Sequence, residues 1–166
     1  MKLIYNVSIV LPDKIIADGA LLFSNKIEKI YSFFNKNDKN IDFEMIDGNG
    51  GYLCPGFIDI HIHGAGGSDT MEGNREALEN ISKTIFQHGV TSFLPTTMTM
   101  NEIEVKKALD NIKKMKDEGL KGAQPLGVHM EGPFINKKYK GAQSEENIQP
   151  PNLDLIENYF DIIKII

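Results

Sequence analysis

From residue 53 onward, short apolar segments of strand length alternate with longer amphipathic segments, and this alternation constrains the fold more than any other feature of the sequence. The apolar segments cover 53–63, 90–97, 125–132 and 162–166. Strands that alternate with helices of this length are typical of right-handed βαβ units and a parallel sheet. The sequence therefore predicts an α/β fold for this region.

The amphipathic segments between these strands have helical periodicity. Their apolar residues form one stripe per helix, consisting of Ala77, Leu78, Ile81, Ile85 and Phe86 on the first helix and of Val105, Ala108, Leu109, Ile112 and Met115 on the second. The run Thr99–Glu102 predicts a capping box at the start of the second helix. Asn152 predicts the N-cap of a third helix that extends to Phe160.

Residues 1–52 have a different pattern and are predicted to form a small β-module. Segments rich in β-branched and aromatic residues flank a hairpin turn at Asn25–Lys26, and the polar run 35–42 is predicted to be a loop. The sequence GNGG at 48–51 separates this module from the α/β region. We therefore predict two domains, 1–52 and 53–166.

In the segment 54–67, CPGFIDIHIHGAGG, polar and apolar residues alternate with the period of two that is typical of a strand. Asp59, His61 and His63 share one face, and the intervening residues are isoleucines. Two histidines at i and i+2 can chelate one metal ion. In a closed (β/α)8 barrel the C-terminal strand ends carry the active site. We therefore expect the histidines at a barrel mouth and Ile58, Ile60 and Ile62 packed outward against helices.

Two neighbouring features are predicted to support such a site. Asp59 lies one step deeper and is expected to orient a ligand histidine by accepting its second N–H group. The glycine-rich turn Gly64–Gly67 would let the backbone approach a ligand closely. This turn lacks the G-x-G-x-x-G spacing of a dinucleotide-binding loop, which disfavours that alternative.

A second candidate segment is GVHMEGPF at 127–134. His129 and Glu131 share one face of the predicted strand, and Glu131 is the last inward residue before the Gly132–Pro133 turn. A carboxylate that meets imidazoles suits Zn²⁺ or another borderline divalent ion. We therefore predict Glu131 as a ligand and His129 as a packed residue or as a partner of a ligand.

Charge and cysteine content narrow the class of protein. The net charge is −5 and no basic block is present, which argues against nucleic-acid or anionic-membrane partners. No apolar run approaches the ~18 residues of a membrane span. The single cysteine, Cys54, is expected to be a packed thiol, and its lack of an intramolecular partner favours a cytoplasmic protein.

Three segments together carry a family resemblance: PGFIDIHIHGAGGSDTMEG, GVTSFLPTTMT and GVHMEGPFINKKYKGAQ. They resemble the N-acetylglucosamine-6-phosphate deacetylases of the amidohydrolase superfamily. The resemblance implies a partial (β/α)8 TIM-like barrel, covering its first three to four strands, preceded by a small β-sandwich module to which residues 1–52 contribute. It also implies that the full-length protein forms a homodimer.

The resemblance further implies the roles of particular residues. Glu131, His61 and His63 would be ligands of one or two divalent ions, zinc in the first place, with iron or another ion as the alternative. Ala142 would contact an amino-sugar phosphate substrate through its backbone, and Gln143 lies at a substrate-contacting position where many members carry histidine. The remaining ligands and the catalytic aspartate would lie beyond residue 166, so this chain alone is expected to be inactive.

The implied reaction is hydrolysis of N-acetyl-D-glucosamine 6-phosphate to D-glucosamine 6-phosphate and acetate, a step of amino-sugar catabolism. Two alternatives stay open at this point. One is another amidohydrolase, either dihydroorotase-like or deaminase-like, although such enzymes often use a carboxylated lysine where this chain has Glu131. The other is a non-catalytic truncated product that keeps only the front of a barrel.

Overall fold

The computed structural model describes residues 1–35 and 43–166. The chain divides into two compact units, Met1–Pro55 and Gly56–Ile166. Within the described ranges, no helix is long and apolar enough to cross a membrane. Apart from Asn35, the loop predicted at 35–42 lies outside the described residues.

The first unit is built on one mixed sheet. Its strands are β1 (Lys2–Val10), β2 (Ile15–Phe23), β3 (Ile27–Tyr31), β4 (Glu44–Asp47) and β5 (Tyr52–Leu53). β1 and β2 pair antiparallel, as do β2 and β3, whereas β4 and β5 both run parallel to β1. The hairpin turn predicted at Asn25–Lys26 is confirmed, since it joins β2 to β3 and the Ser24 amide donates to the Lys26 carbonyl (3.0 Å).

A small apolar core stabilises this sheet. Leu3, Ala20 and Leu22 are buried, and the aromatic side chains Tyr5, Tyr31, Phe34 and Phe43 pack against them. Cys54 is exposed, so the prediction of a packed thiol is wrong. The physical reason is that β5 ends at Leu53, which leaves the thiol beyond the paired part of the sheet.

The second unit alternates strands with helices, as predicted. Its strands are β6 (Phe57–Ile62), β7 (Gly64–Ala65), β8 (Ser68–Asp69), β9 (Val90–Pro95), β10 (Gln124–Pro125), β11 (Val128–His129) and β12 (Ile163–Ile165). Its helices are α1 (Arg75–Phe86), α2 (Glu102–Glu118) and α3 (Leu153–Ile156), with 3-10 turns at Thr70–Glu72, Lys137–Tyr139, Glu145–Asn147 and Glu157–Tyr159. β6, β9 and β10 form a parallel sheet with β9 in the middle, and β11 runs parallel to β12.

The strand predicted at 125–132 is split into β10 and β11. The Leu126 amide donates to the Phe93 carbonyl in β9, whereas the Val128 amide donates to the Ile162 carbonyl (3.0 and 2.9 Å). At the intervening Gly127, a Cβ atom would lie 2.2 Å from the Ile162 carbonyl oxygen. The backbones therefore approach too closely for any side chain, and the regular strand is interrupted there.

The helical stripes are buried almost as predicted. On α2 all five predicted residues are buried, and on α1 four of the five are. The exception is Phe86, which is 51% exposed. It follows Ile85 by one residue, or about 100° around the helix, and Ile85 already occupies the face toward the core.

Of the two predictions for helix N-termini, the capping box before α2 is wrong and the N-cap of α3 is confirmed. The predicted capping box at Thr99 is wrong, because α2 is capped by Asn101, whose Oδ1 accepts from the Glu104 amide (3.1 Å). Asn152 does cap α3 through the Asp154 amide (3.0 Å), as predicted. α3 itself ends at Ile156, and a 3-10 turn replaces the rest of the expected helix.

Two of the three outward isoleucines of β6 are not covered. Ile58 and Ile60 are 59% and 58% exposed, so the prediction that they pack against helices is wrong for the described residues. β6 is an outer strand of its three-stranded sheet, and α1 packs on β7, β8 and β9. Only Ile62, at the end of β6, packs against the main core.

We expect the protein to lose stability at alkaline pH as Tyr159 ionises, and we expect the substitution Tyr159→Phe to remove this loss. The Tyr159 hydroxyl donates to Asp110 Oδ1 (2.7 Å), and burial of the ring together with this carboxylate raises the pKa of Tyr159 to about 12. An unfolded tyrosine ionises near pH 10. The folded state therefore binds the proton more tightly, so stability is full below about pH 10 and falls towards pH 12 by at most about 2–3 kcal/mol.

Urea unfolding at several pH values between neutrality and pH 11 measures this effect. The variant Tyr139→Phe is the matched control, because Tyr139 is 76% exposed. We expect the alkaline decline to be shallower in Tyr159→Phe and unchanged in Tyr139→Phe. An equally steep decline in both variants and in the original chain would contradict the assignment.

Candidate metal centre

Three side chains from two strand ends converge in the second unit. His63 Nε2 lies 3.1 Å and His61 Nε2 lies 3.5 Å from the same oxygen, Glu131 Oε2. One ligand atom from each residue falls within 4.8 Å of the others. The three side chains are between 32% and 48% exposed, so a small ion and water can reach them.

Strand geometry brings these residues together. His61 belongs to β6, His63 follows it at i+2, and the two rings lie 5.0 Å apart on one side of the strand. Glu131 lies two residues beyond β11. The convergence that the strand pattern predicted for these side chains is therefore present in the geometry.

Two buried threonines at the end of β9 tie the two strand ends to each other. Thr96 exchanges backbone and side-chain hydrogen bonds with Ile62, whose amide donates to Thr96 Oγ1 (2.9 Å) and whose carbonyl accepts from the Thr96 amide (2.8 Å). The Thr97 amide donates to the His129 carbonyl (3.1 Å). Both threonines are fully buried. Neither threonine is among the residues that the sequence predicts for the site, although a polar Thr–Thr pair that directly follows an apolar strand is an available signal.

The partner of His63 indicates which ring nitrogen is free. His63 Nδ1 lies 3.3 Å from the Thr96 carbonyl oxygen, which can only accept a hydrogen bond. In neutral His63 the proton is thus assigned to Nδ1, and the lone pair is on Nε2, the atom that faces Glu131. This is the arrangement that metal-binding histidines commonly adopt.

His129 packs against the ring of His61. The ring centroids lie 4.7 Å apart in an edge-on arrangement, and the two Nδ1 atoms are 3.3 Å apart. His129 Nδ1 also lies 3.0 Å from the Ile60 carbonyl, which assigns a proton to that nitrogen. His129 therefore buttresses His61 from the side and is bonded to the backbone of β6.

Asp59 contacts the backbone of β6 rather than an imidazole ring, and the glycine turn closes a short hairpin. Asp59 Oδ1 accepts from the backbone amide of His61 (3.0 Å), which differs from the predicted bond to a histidine ring. Gly66 and Gly67 both have positive φ and form the two-residue turn of the β7–β8 hairpin. After this hairpin, the Thr70 amide donates to the His63 carbonyl (2.7 Å) and holds the end of the histidine strand.

The carboxylate of Glu131 has a different partner for each oxygen. Oε2 faces the two histidines, and Oε1 accepts from Gln143 Nε2 (2.7 Å). Gln143 is only 5% exposed, and its Oε1 accepts from the Thr99 amide (2.7 Å). The family resemblance implies a substrate contact for Gln143, whereas this bond to Glu131 is not predicted by the sequence. Ala142 beside it is exposed.

The residues present fit a divalent metal ion. Two imidazoles and one carboxylate are a ligand set that zinc and similar ions use in catalytic sites, where three protein ligands leave a position for water. His63 has its Nε2 lone pair directed inward, and the oxygen of Glu131 that faces the histidines is not the one bonded to Gln143. Asp59 and His129 surround this set without contributing to the three-residue group.

Comparison with known proteins agrees with these observations. A model of the amidohydrolase family matches residues 52–164. An N-acetylglucosamine-6-phosphate deacetylase of Bacillus subtilis (strain 168) is 42% identical over 110 residues, which cover 64% of this chain and 28% of that protein. One from Lysinibacillus sphaericus is 37% identical over 120 residues, which cover 70% of this chain and 30% of that protein.

The solved structures extend this similarity to the fold. The crystal structure of N-acetylglucosamine-6-phosphate deacetylase from Pasteurella multocida superposes with a TM-score of 0.86 and 28% identity, covering 98% of this chain and 43% of that one. The chain thus spans less than a third of the length of the two curated relatives it matches here. Because the family model covers most of the chain, including His61, His63 and Glu131, the chain belongs to the amidohydrolase family.

Proposed function

We propose that the whole protein is a metal-dependent N-acetylglucosamine-6-phosphate deacetylase, to which this chain contributes one side of the metal centre. The observation that carries the proposal is the convergence of His61, His63 and Glu131, within 4.8 Å, in a chain that is similar to the two curated relatives described above, both of which are named for this activity. The reaction would release acetate and D-glucosamine 6-phosphate. Cytoplasmic amino-sugar catabolism is the proposed setting.

His61, His63 and Glu131 would hold the ion, with zinc proposed and iron as the alternative. A divalent ion bound there would polarise the acetamide carbonyl and lower the pKa of a coordinated water towards neutrality. The residues of this chain orient the site: Thr96 holds the proton of His63 on Nδ1, His129 supports the ring of His61, and Gln143 binds the outer oxygen of Glu131. We propose that the exposed backbone at Ala142 contacts the sugar. The proton-transferring aspartate would come from outside this chain.

Further elements of the proposal concern architecture. The parallel strands β6, β9, the split strand formed by β10 and β11, and β12 would be the first four strands of a (β/α)8 barrel, and the sheet of the first unit would be part of a β-sandwich. The exposed isoleucines of β6 are consistent with such a barrel, since a neighbouring strand would pair its outer edge and the surrounding helices would cover its outer face. A homodimer is proposed for the full-length protein.

A chimeric enzyme tests the proposed activity. In this chimera, the matching residues of the Bacillus subtilis relative are replaced by this chain, and free amine is measured after adding N-acetylglucosamine 6-phosphate. A panel with dihydroorotate and a hydantoin, in which ring opening is followed through the N-carbamoyl product, tests the cyclic-amidase alternative. We expect amine release from the sugar phosphate alone, lost in the chimera that carries Glu131→Gln. A folded, metal-loaded chimera that is inactive on the sugar phosphate would contradict the proposal.

A further inference from the structure

Gln143 is a buried polar side chain whose amide is fully engaged inside the protein. It is 5% exposed, with Oε1 at 2.7 Å from the Thr99 amide nitrogen and Nε2 at 2.7 Å from Glu131 Oε1. Met98 Sδ lies at 3.5 Å from the same Nε2. Burying an amide is unfavourable unless its hydrogen bonds are satisfied, and here both ends have partners.

The chemistry of these partners allows only one orientation of the amide. The Thr99 amide can only donate a hydrogen bond, so it must face the oxygen of Gln143. An ionised Glu131 can only accept, so it must face the NH₂ group. Rotating the amide by 180° would place two donors together at one end and two acceptors together at the other. The orientation is therefore determined by the backbone of Thr99, which lies just before α2.

This bond fixes which oxygen of Glu131 faces the histidines. Because Oε1 is bonded to Gln143, the carboxylate presents Oε2 to His61 and His63 (3.5 and 3.1 Å). A neutral amide orients the carboxylate without adding a positive charge. Among the ion pairs within residues 1–35 and 43–166, none joins Glu131 to a lysine or arginine. The negative charge of Glu131 thus remains available to a cation.

We infer that Gln143 is a positioning residue for Glu131. Through its two hydrogen bonds it holds the Glu131 carboxylate at a fixed position relative to the Thr99 backbone, with Oε2 directed at the ion. This inference rests on the proposed metal site. It gives Gln143 a role in metal affinity, whereas a substrate contact would appear mainly in the KM of the whole enzyme. Partners that orient metal ligands typically contribute about 10- to 100-fold to metal affinity.

Two substitutions at Gln143 distinguish the effect of its hydrogen bonds from the effect of its side-chain volume. Gln143→Met keeps an unbranched side chain of similar length but removes both hydrogen bonds. Gln143→His can restore them, because a neutral imidazole has one donor and one acceptor nitrogen. The matched control is Gln124→Met, since the Gln124 amide also bonds at both ends but contacts only the backbone of Leu120 and Gly122.

The experiment measures Zn²⁺ affinity of the 166-residue chain by competition with a chromophoric chelator, and records the visible absorption spectrum with Co²⁺. We expect Gln143→Met to bind Zn²⁺ about 10- to 100-fold more weakly and to alter the Co²⁺ spectrum. Gln143→His should restore both, and Gln124→Met should change neither. Circular dichroism checks that each variant is folded. If Gln143→Met does not fold, the comparison of Gln143→His with the original chain decides: similar affinity and spectrum support the inference, and a loss of either overturns it.

The outcomes distinguish this inference from the proposal on which it rests. Tight zinc binding that depends on Glu131 but is unchanged in Gln143→Met would overturn the positioning role alone. Failure of the original chain to bind zinc would overturn the metal site and the inference together. An inactive chimera in the deacetylase assay, combined with the expected affinity pattern, would overturn the activity and leave the role of Gln143 standing.

Discussion

Replacing Glu131 with Gln is expected to lower the Zn²⁺ affinity of the chain by more than about 100-fold, because loss of a ligand exceeds the 10- to 100-fold effect typical of its hydrogen-bonded partners. The substitution preserves shape but removes the negative charge. Glu131 supplies the only carboxylate of the three-residue group, and its Oε2 lies 3.1 Å from His63 Nε2 and 3.5 Å from His61 Nε2. Chelator competition measures the change directly.

The fold should survive this substitution. The new side chain can still accept from Gln143 Nε2 through its carbonyl oxygen, so the buried amide keeps a partner. Glu145→Gln is the matched control, because Glu145 is exposed and lies in the same loop but outside the group. We expect its zinc affinity to equal that of the original chain. Equal losses in both variants would indicate a general charge effect and would contradict the ligand role of Glu131.

Replacing Gly132 with Ala is expected to destabilise the second unit and to displace Glu131. Gly132 has φ +74°, and a Cβ atom there would lie 2.0 Å from Thr99 Oγ1 and 3.1 Å from the Thr99 Cα. Because the Thr99 backbone is part of the close contact, a side-chain rotation cannot relieve it. Left-handed strain costs about 1–2 kcal/mol and overpacking about 1–3 kcal/mol, so we expect a total loss of roughly 2–5 kcal/mol.

Gly141→Ala isolates the steric part of this effect. Gly141 also has positive φ, +58°, but a Cβ atom there would have nothing within 4 Å. We expect Gly141→Ala to lose only the conformational part, about 1–2 kcal/mol, in urea unfolding monitored by circular dichroism. Zinc affinity should fall in Gly132→Ala only, because a shift of Thr99 would move the backbone amide that binds Gln143, which in turn binds Glu131. Equal destabilisation by the two substitutions would contradict the steric contribution, because it would mean that Thr99 can move away from the new Cβ atom at no cost in stability.

The sequence predicts secondary structure and buried faces correctly where the apolar residues repeat with the period of a helix or a strand. Apolar stripes such as Leu109, Ile112 and Met115 have one face to bury, so the helical period determines which residues enter the core. The side-chain period of two likewise placed His61 and His63 on one side of a strand. The same period of two places Glu131 on the inward face at the end of its predicted strand, and this position makes it a candidate ligand.

The failures concern features that depend on distant residues. Thr99 has the sequence of a cap, but its amide is bonded to Gln143, which lies 44 residues away in the chain. Ile58 is exposed although it lies on the apolar face of an alternating strand. The alternation shows that this face is apolar, but it does not show which element of the protein covers it. The bond between Gln143 and Glu131 likewise depends on how a loop returns to the sheet, which local propensity does not describe.

The most direct test of the account is X-ray absorption spectroscopy of the zinc-loaded 166-residue chain, with His63→Ala for comparison. We expect one zinc ion with light-atom ligands at about 2.0–2.2 Å and the scattering of two imidazoles. In His63→Ala the imidazole contribution should fall to one. Zinc that binds with the same imidazole contribution in both proteins, or that fails to bind the original chain, would contradict the convergence of His61, His63 and Glu131 on a single ion.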